Sequence, residues 1–272
     1  MKIQQLLLAL TVLFVFAADT TIAKTDGTEW KLVFSDEFNQ PDGSQPDPTK
    51  WNRHRRGSST WSRWISDADE VAFIKKGRLI CKAIPNTHHP ADTARMLTGA
   101  INTKGKFSFK YGKVEVRMRT NLQQGNFPAA WIVPQSNSKL PYAEIDIIET
   151  YGTKAEAAHA AHTLYTQNNK KHGEKNNFRI PLNISKWHVY GIEWDEKQII
   201  WTIDGKVTGI YQKSSNQEKL ADGQWTFDVP CYMILNQSVG GGYKNVPNTR
   251  ATYETQFDWI RVYQSSRPSG KR

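Results

Sequence analysis

Apolar and polar residues alternate along much of the chain, and helical periodicity is nearly absent. In KVEVRMR, Val114, Val116 and Met118 alternate with Glu115, Arg117 and Arg119, a period of two that turns one strand face to a core and the other to water. A second run, QIIWTIDGKVTGIY, is divided by Asp204-Gly205, a pair that accepts the positive dihedrals of a tight hairpin turn. Further strands are predicted at Lys31 to Phe34, Arg78 to Ile84, Glu144 to Thr150, His188 to Trp194, Cys231 to Gln237 and Phe257 to Tyr263. Thr87 to Arg95 and Asn168 to Asn177 are polar enough to be loops, and the tail Ser265 to Arg272 reads as a frayed end. Many short strands without a helical run predict an all-β fold, a sandwich or jelly roll. No repeat or linker divides it.

One apolar run departs from this pattern. Leu6 to Ala18 follows Met1, Lys2 and a short polar lead, and reads as the apolar core of a secretory signal. Small residues near Ala23 predict cleavage before Lys24, so residues 1–23 are the expected signal peptide and 24–272 the single domain. The run is short for a transmembrane helix, so the expectation is an exported protein, periplasmic or extracellular, with no membrane span. Export permits a disulfide between Cys81 and Cys231, the only cysteines, but both sit in apolar runs where a buried free thiol is equally at home.

Composition adds two constraints. Charged residues at 23% and a mean hydropathy of -0.62 exclude a multi-span membrane protein. The 36 Lys and Arg against 26 Asp and Glu give a net charge of +10, which suits polyanions. The basic residues are scattered and no nucleic-acid motif is present, so no nucleic-acid partner is expected. An anionic glycan stays open. With 10 Trp, several beside polar residues, sugar stacking is plausible as well.

The chemistry lies in AEIDIIETYG. Glu144 and Asp146 share one strand face, but strict alternation would send Glu149 into the core, where an unpaired carboxylate costs several kcal/mol. A β-bulge letting Ile147 and Ile148 occupy one position returns Glu149 to the face of the other acids. Three carboxylates in a row raise one another's pKa, and a charged and a protonated carboxyl together are what glycoside hydrolysis needs. A solvated acidic face or a cation site remains the alternative from spacing alone.

GNFPAAWIVPQ followed by EIDIIE resembles the catalytic region of glycoside hydrolase family 16, the laminarinase, lichenase and agarase group. FSDEFN, TGAINTKGKFSFKYGKVEVRMR, WHVYGIEWD, YMILNQSVGGG and FDWIRVYQ resemble family segments in the family's order, from Trp30 to Gln264. The resemblance implies a β-jelly roll of two stacked antiparallel sheets with a substrate cleft across the concave one. It implies Glu144 as nucleophile, Glu149 as acid/base and Asp146 as the group orienting the nucleophile, with no cofactor for catalysis. It also implies a sugar wall at Trp131 and substrate contacts at His162, Asn236 and Gln237, with a structural Ca²⁺ at Glu37, Asp258 and a carbonyl near Gly77. Trp61 and Trp64, in the arginine-rich loop RHRRGSSTWSRWISD, are placed as platforms at the cleft edge, with anchors of the loop as the alternative. Ala143 before the first Glu and TYG after the last depart from the glucanase pattern and leave the sugar open between β-glucan and galactose-containing glycans such as mucin O-glycans. The expected protein is a monomeric, endo-acting, retaining β-glycanase. The alternative is a non-catalytic carbohydrate-binding jelly roll.

Overall fold

The structure is a computed structural model, and it describes residues 29–135, 142–168, 175–242 and 244–265. The expected signal peptide, most of the 168–177 loop and most of the tail lie outside the described residues. Sixteen strands run in chain order: β1 (Trp30–Asp36), β2 (Asn52–Arg53), β3 (Ala72–Ile74), β4 (Leu79–Pro85), β5 (Met96–Thr98), β6 (Ala100–Asn102), β7 (Gly112–Thr120), β8 (Asn126–Pro134), β9 (Ala143–Glu149), β10 (Glu156–Thr163), β11 (Asn177–Pro181), β12 (His188–Trp194), β13 (Gln198–Ile203), β14 (Lys206–Gln212), β15 (Cys231–Val239) and β16 (Tyr253–Ser265). Two five-residue helices, Leu164–Asn168 and Gln217–Ala221, interrupt them.

Alternation decides which faces meet. Along β7, Val114, Val116 and Met118 are buried while Lys113, Glu115, Arg117 and Arg119 keep contact with water, as their spacing predicts. Asp204 and Gly205 turn with φ of 49° and 76° between β13 and β14, the positive dihedrals a two-residue hairpin needs. The strands pair antiparallel in two sheets. The larger runs β14-β13-β12-β7-β16-β4-β3, with β1 beside β16 and β5 beside β4. The smaller runs β11-β10-β9-β8-β15-β6-β2. Ile145, Met233 and Leu235 of the smaller sheet share one apolar cluster with Val114, Val116 and Ile260 of the larger. This is the two-layer jelly roll.

Three of the unpredicted strands explain why they escaped. Strand β8 contains Pro128, yet Pro128 pairs with Gln237, whose own N–H turns away to Gly99 O, so the missing proline N–H removes no bond from that pair. In β10 the sequence EAAHAAHT is rich in alanine, which sheets disfavour on average. It is held by β9 on one side and β11 on the other. Strand β11 sits at the sheet edge, where its Phe178 ring lies over Gly209 of β14 and 5.4 Å from the Trp201 ring.

A Cβ at residue 209 would stand 2.7 Å from the Phe178 ring, inside van der Waals contact. Gly209→Ala should therefore lower stability by about 1–3 kcal/mol, a fall in Tm of several degrees for a domain of this size. Adding Phe178→Leu should recover part of the loss in a thermal melt; additive losses would refute this contact.

Candidate active site

Strand β9 carries the acids, and its register shows how. Against β8, Ala130 pairs with Ile148 and Trp131 with Asp146; against β10, Ala158 pairs with Glu149 and Ala160 with Asp146. One residue is thus extra in β9 between Asp146 and Ile148, the bulge that parity demanded. Ile145, Ile147 and Ile148 all enter the core, and Glu144, Asp146 and Glu149 share the opposite face.

A bulge leaves backbone groups without ladder partners, and here side chains take them. His159 Nδ1 lies 2.6 Å from Ile147 O, and Trp201 Nε1 donates to Asp146 O at 2.8 Å. The carbonyl can only accept, so Nδ1 carries the proton and Nε2 accepts from Thr208 Oγ1 at 3.0 Å. Burial lowers His159 to about 4 and keeps it neutral. Trp201 and Thr208 reach across from the larger sheet, so the bulge is fixed by both layers.

Each glutamate has a tyrosine partner. Tyr142 Oη donates to Glu144 Oε2 at 2.7 Å, and Tyr151 Oη to Glu149 Oε2 at 3.0 Å. His162 Nε2 stands 3.2 Å from Asp146 Oδ2, a contact without hydrogen-bond alignment, since that oxygen has no hydrogen-bond partner. Burial raises all three carboxyls above their usual range. The neighbouring Glu144 raises Asp146 further, and both Asp146 and Glu144 raise Glu149. His162 and the Tyr142 hydroxyl pull Glu144 back down. The result is a graded set: Asp146 and Glu149 are raised well above their usual range, and Glu144 is raised less.

Trp131 and Asn236 are coupled. The indole N–H donates to Asn236 Oδ1 at 2.8 Å, and Asn236 Nδ2 donates to Ser238 Oγ at 3.0 Å. Asn236, 1% exposed, fixes the Trp131 indole from the same face of the neighbouring strand β15. Trp61 packs edge-on against Trp131 at 4.8 Å, which puts the arginine-rich loop beside the acids.

The expectations at Gln237, at Trp64 and for the calcium set are corrected. Gln237 faces the core, its amide bonded to Asn126 Oδ1 and its carbonyl to Thr255 Oγ1, because Leu235 and Val239 on its side of β15 are core residues. Trp64 packs with Ala83, Met96, Val239 and Tyr253 and anchors the loop instead of forming a platform. The loop arginines are largely consumed internally. Arg53 donates to the carbonyls of Ser66, Ala68 and Ala72, and Arg56 to Ile65 O and to Asp92. The calcium set does not fit a cation either. Arg261 grips both oxygens of Glu37 at 2.9 Å, and Asp258 is held by Arg78 and Arg117. Gly77 lies in the β3–β4 turn with φ of 66°. Fixed guanidinium groups already neutralise the acids a cation would need.

Glu144, Asp146 and His162 bring ligand atoms within 4.8 Å of one another, close enough for a divalent ion. The Tyr142 hydroxyl, however, aims a proton at Glu144, which suits a free carboxylate. Tyr142 and Tyr151 were not singled out from sequence. Their signal was available, since each stands two residues outward from Glu144 or Glu149 and so on the same strand face.

Two stacked antiparallel sheets with a buried, graded carboxylate row define a glycoside-cleaving jelly roll. The model of glycosyl hydrolases family 16 matches residues 63–261, and the chain belongs to that family and is a glycoside hydrolase. It is 29% identical over 250 residues to keratan-sulfate endo-1,4-beta-galactosidase of Sphingobacterium multivorum, 90% of this chain and 57% of that one. It is 30% identical over 259 residues to a beta-glucanase of Rhodothermus marinus, covering 86% and 85%. A solved structure described as an endo-acting O-glycanase of the human gut microbiota aligns with a TM-score of 0.71 and 27% identity, over 85% of this chain and 98% of that one.

The Tyr151 bond stabilises ionised Glu149 and so holds its pKa down. Without it that pKa rises, the acid stays protonated to higher pH, and activity is lost later as pH increases. Tyr151→Phe should therefore move the alkaline limb of kcat/KM upward in a pH-rate profile. A limb that stays put or moves down would show that Glu149 is not the acid.

Proposed function

We propose that the chain is an exported, endo-acting, retaining β-glycanase that cuts internal β-linkages of galactose-containing glycans. The observation that carries the reaction is the bulged row of Glu144, Asp146 and Glu149, with its pKa gradient. Glu144, least raised and hydrogen-bonded by Tyr142, attacks the anomeric carbon. Glu149, whose pKa is raised well above the usual range by burial and by Asp146 and Glu144, gives its proton to the glycosidic oxygen, and the leaving chain departs. In the second half Glu149 takes a proton from water, whose oxygen attacks the anomeric carbon and releases Glu144. Asp146 lies between them, its pKa raised by burial and by the charge of Glu144, and supports the nucleophile's ionised form.

A binding protein would have no use for this row, because each buried carboxyl costs folding stability and only a reaction gives that cost a function. The likeness to a keratan-sulfate endo-galactosidase and to an O-glycanase supports galactose-containing chains. The beta-glucanase relative keeps β-glucan as the competing substrate. Export rests on the leader predicted over residues 1–23.

Glu144→Gln and Glu149→Gln should each reduce turnover by about a thousandfold or more while leaving the melting curve and glycan binding in place. A variant retaining a tenth of the rate would remove its residue from the assignment.

Substrate and stereochemistry follow from one panel. Keratan, mucin O-glycans, agarose, laminarin and mixed-linkage glucan are incubated with the enzyme, and products are followed by chromatography and early proton NMR. A ladder of oligosaccharides from a galactose-containing chain, with the β-anomer formed first, is expected. Cleavage of glucans alone would transfer the substrate to the β-glucan class, and a first-formed α-anomer would reject double displacement.

A further inference from the structure

The ladder that places the acids also places a cation. Arg179 of β11 pairs with Ala158 of β10, Ala158 with Glu149 of β9, and Glu149 with Ala129 of β8. Directly paired residues of antiparallel strands project from the same sheet face. Arg179 therefore stands on the acid-bearing face, in the cross-strand row of Glu149 and two strands from it, about 10 Å at the backbone.

Between them Ala158 offers only a methyl group, so the long side chain can lie over it toward the acid. It does so: the guanidinium carbon sits 4.8 Å from the centre of the Tyr151 ring, whose hydroxyl is the partner of Glu149. Phe127 stacks on the same ring at 5.3 Å. Glu156 accepts from Nη1 at 2.7 Å. No other acceptor among the described residues meets the guanidinium, and the side chain is 47% exposed. A planar cation is thus held in place on one edge by Glu156 and by the tyrosine ring, with donors to spare on a solvent-facing site.

Its position fixes what it can read. Glu149 protonates the departing oxygen, so a group beside Glu149 meets the leaving-group side of the chain. The charge that Glu144 carries as nucleophile repels an anionic sugar, and a fixed cation offsets that repulsion. We propose that Arg179, on its Tyr151 ledge, is a specificity-determining residue that binds a sulfate ester on the leaving-group side of the substrate. This rests on the galactose-glycan reading above and goes beyond it, because it assigns a substituent and the residue that recognises it. The guanidinium fork matches sulfate oxygens in the two-point manner in which it pairs with carboxylate and phosphate.

Binding is measured by calorimetry with the full chain carrying Glu144→Gln, using sulfated keratan oligosaccharides and the same oligosaccharides after desulfation. The expected result is about tenfold tighter binding of the sulfated form. Adding Arg179→Gln or Arg179→Met should bring the two affinities together, and Arg179→Lys should retain part of the difference. In the active enzyme, Arg179→Gln should lower the sulfated-to-desulfated ratio of kcat/KM, mainly through KM. Melting curves of all variants show whether an effect is merely structural. A preference that survives Arg179→Gln and Arg179→Met, or the absence of any preference or binding with Arg179 present, overturns the proposal. Equal cleavage of both chains overturns it and leaves the galactose-glycan reading standing. Cleavage of laminarin with neither keratan form cut removes both.

Discussion

The site depends on one backbone constraint: a strand in the middle of a sheet holds an extra residue and must still satisfy its carbonyls. His159 and Trp201 meet that demand at Ile147 O and Asp146 O, and they stack on each other with ring centres 6.1 Å apart. Without the extra residue, strict alternation would turn Glu149 into the apolar layer and Ile148 to the cleft. Because Trp201 belongs to the opposite sheet, the packing of the two layers and the aim of the acid/base are one structural problem. Gly209 and Phe178 enter here too, since they set the space around Trp201.

Burial is both the source of the chemistry and its liability. The same loss of water that raises the pKa of Glu149 and Asp146 makes the row unfavourable for folding, and the apolar cluster shared by the two sheets has to outweigh it. The two tyrosines moderate the effect unequally. Tyr142 donates to a carboxyl that His162 also draws toward ionisation, whereas Tyr151 donates to one that two neighbouring acids push the other way. Two glutamates of like chemistry on one strand thereby differ in how far their pKa is raised, the difference that the proposed division into nucleophile and acid needs.

What could be read from the chain follows the range of the forces involved. Strand β7, the Asp204-Gly205 turn and the bulge were legible because alternation and turn dihedrals are local. Strands β8 and β10 were hidden by Pro128 and by alanine-rich composition, and only their neighbours make them strands. Four arginines crowd the 53–63 loop, but Arg53 and Arg56 bind backbone carbonyls that no sequence pattern reveals. The cation on the acid-bearing face is Arg179, whose relation to Glu149 exists only through the register of three strands. Glu37 and Asp258 were matched to a family pattern, and the arginines that occupy them come from positions 78, 117 and 261.

Cys81 and Cys231 lie in different sheets, both unpaired and almost fully buried. Burial pushes each thiol up to about 12, so near neutral pH the thiolate that attacks disulfides and reacts with oxidants is almost absent. The jelly roll thus closes without a covalent crosslink between its layers. Its maturation needs no oxidant and no disulfide isomerase, and the folded domain is redox-neutral: the same set of contacts forms on either side of a membrane that separates reducing from oxidising compartments.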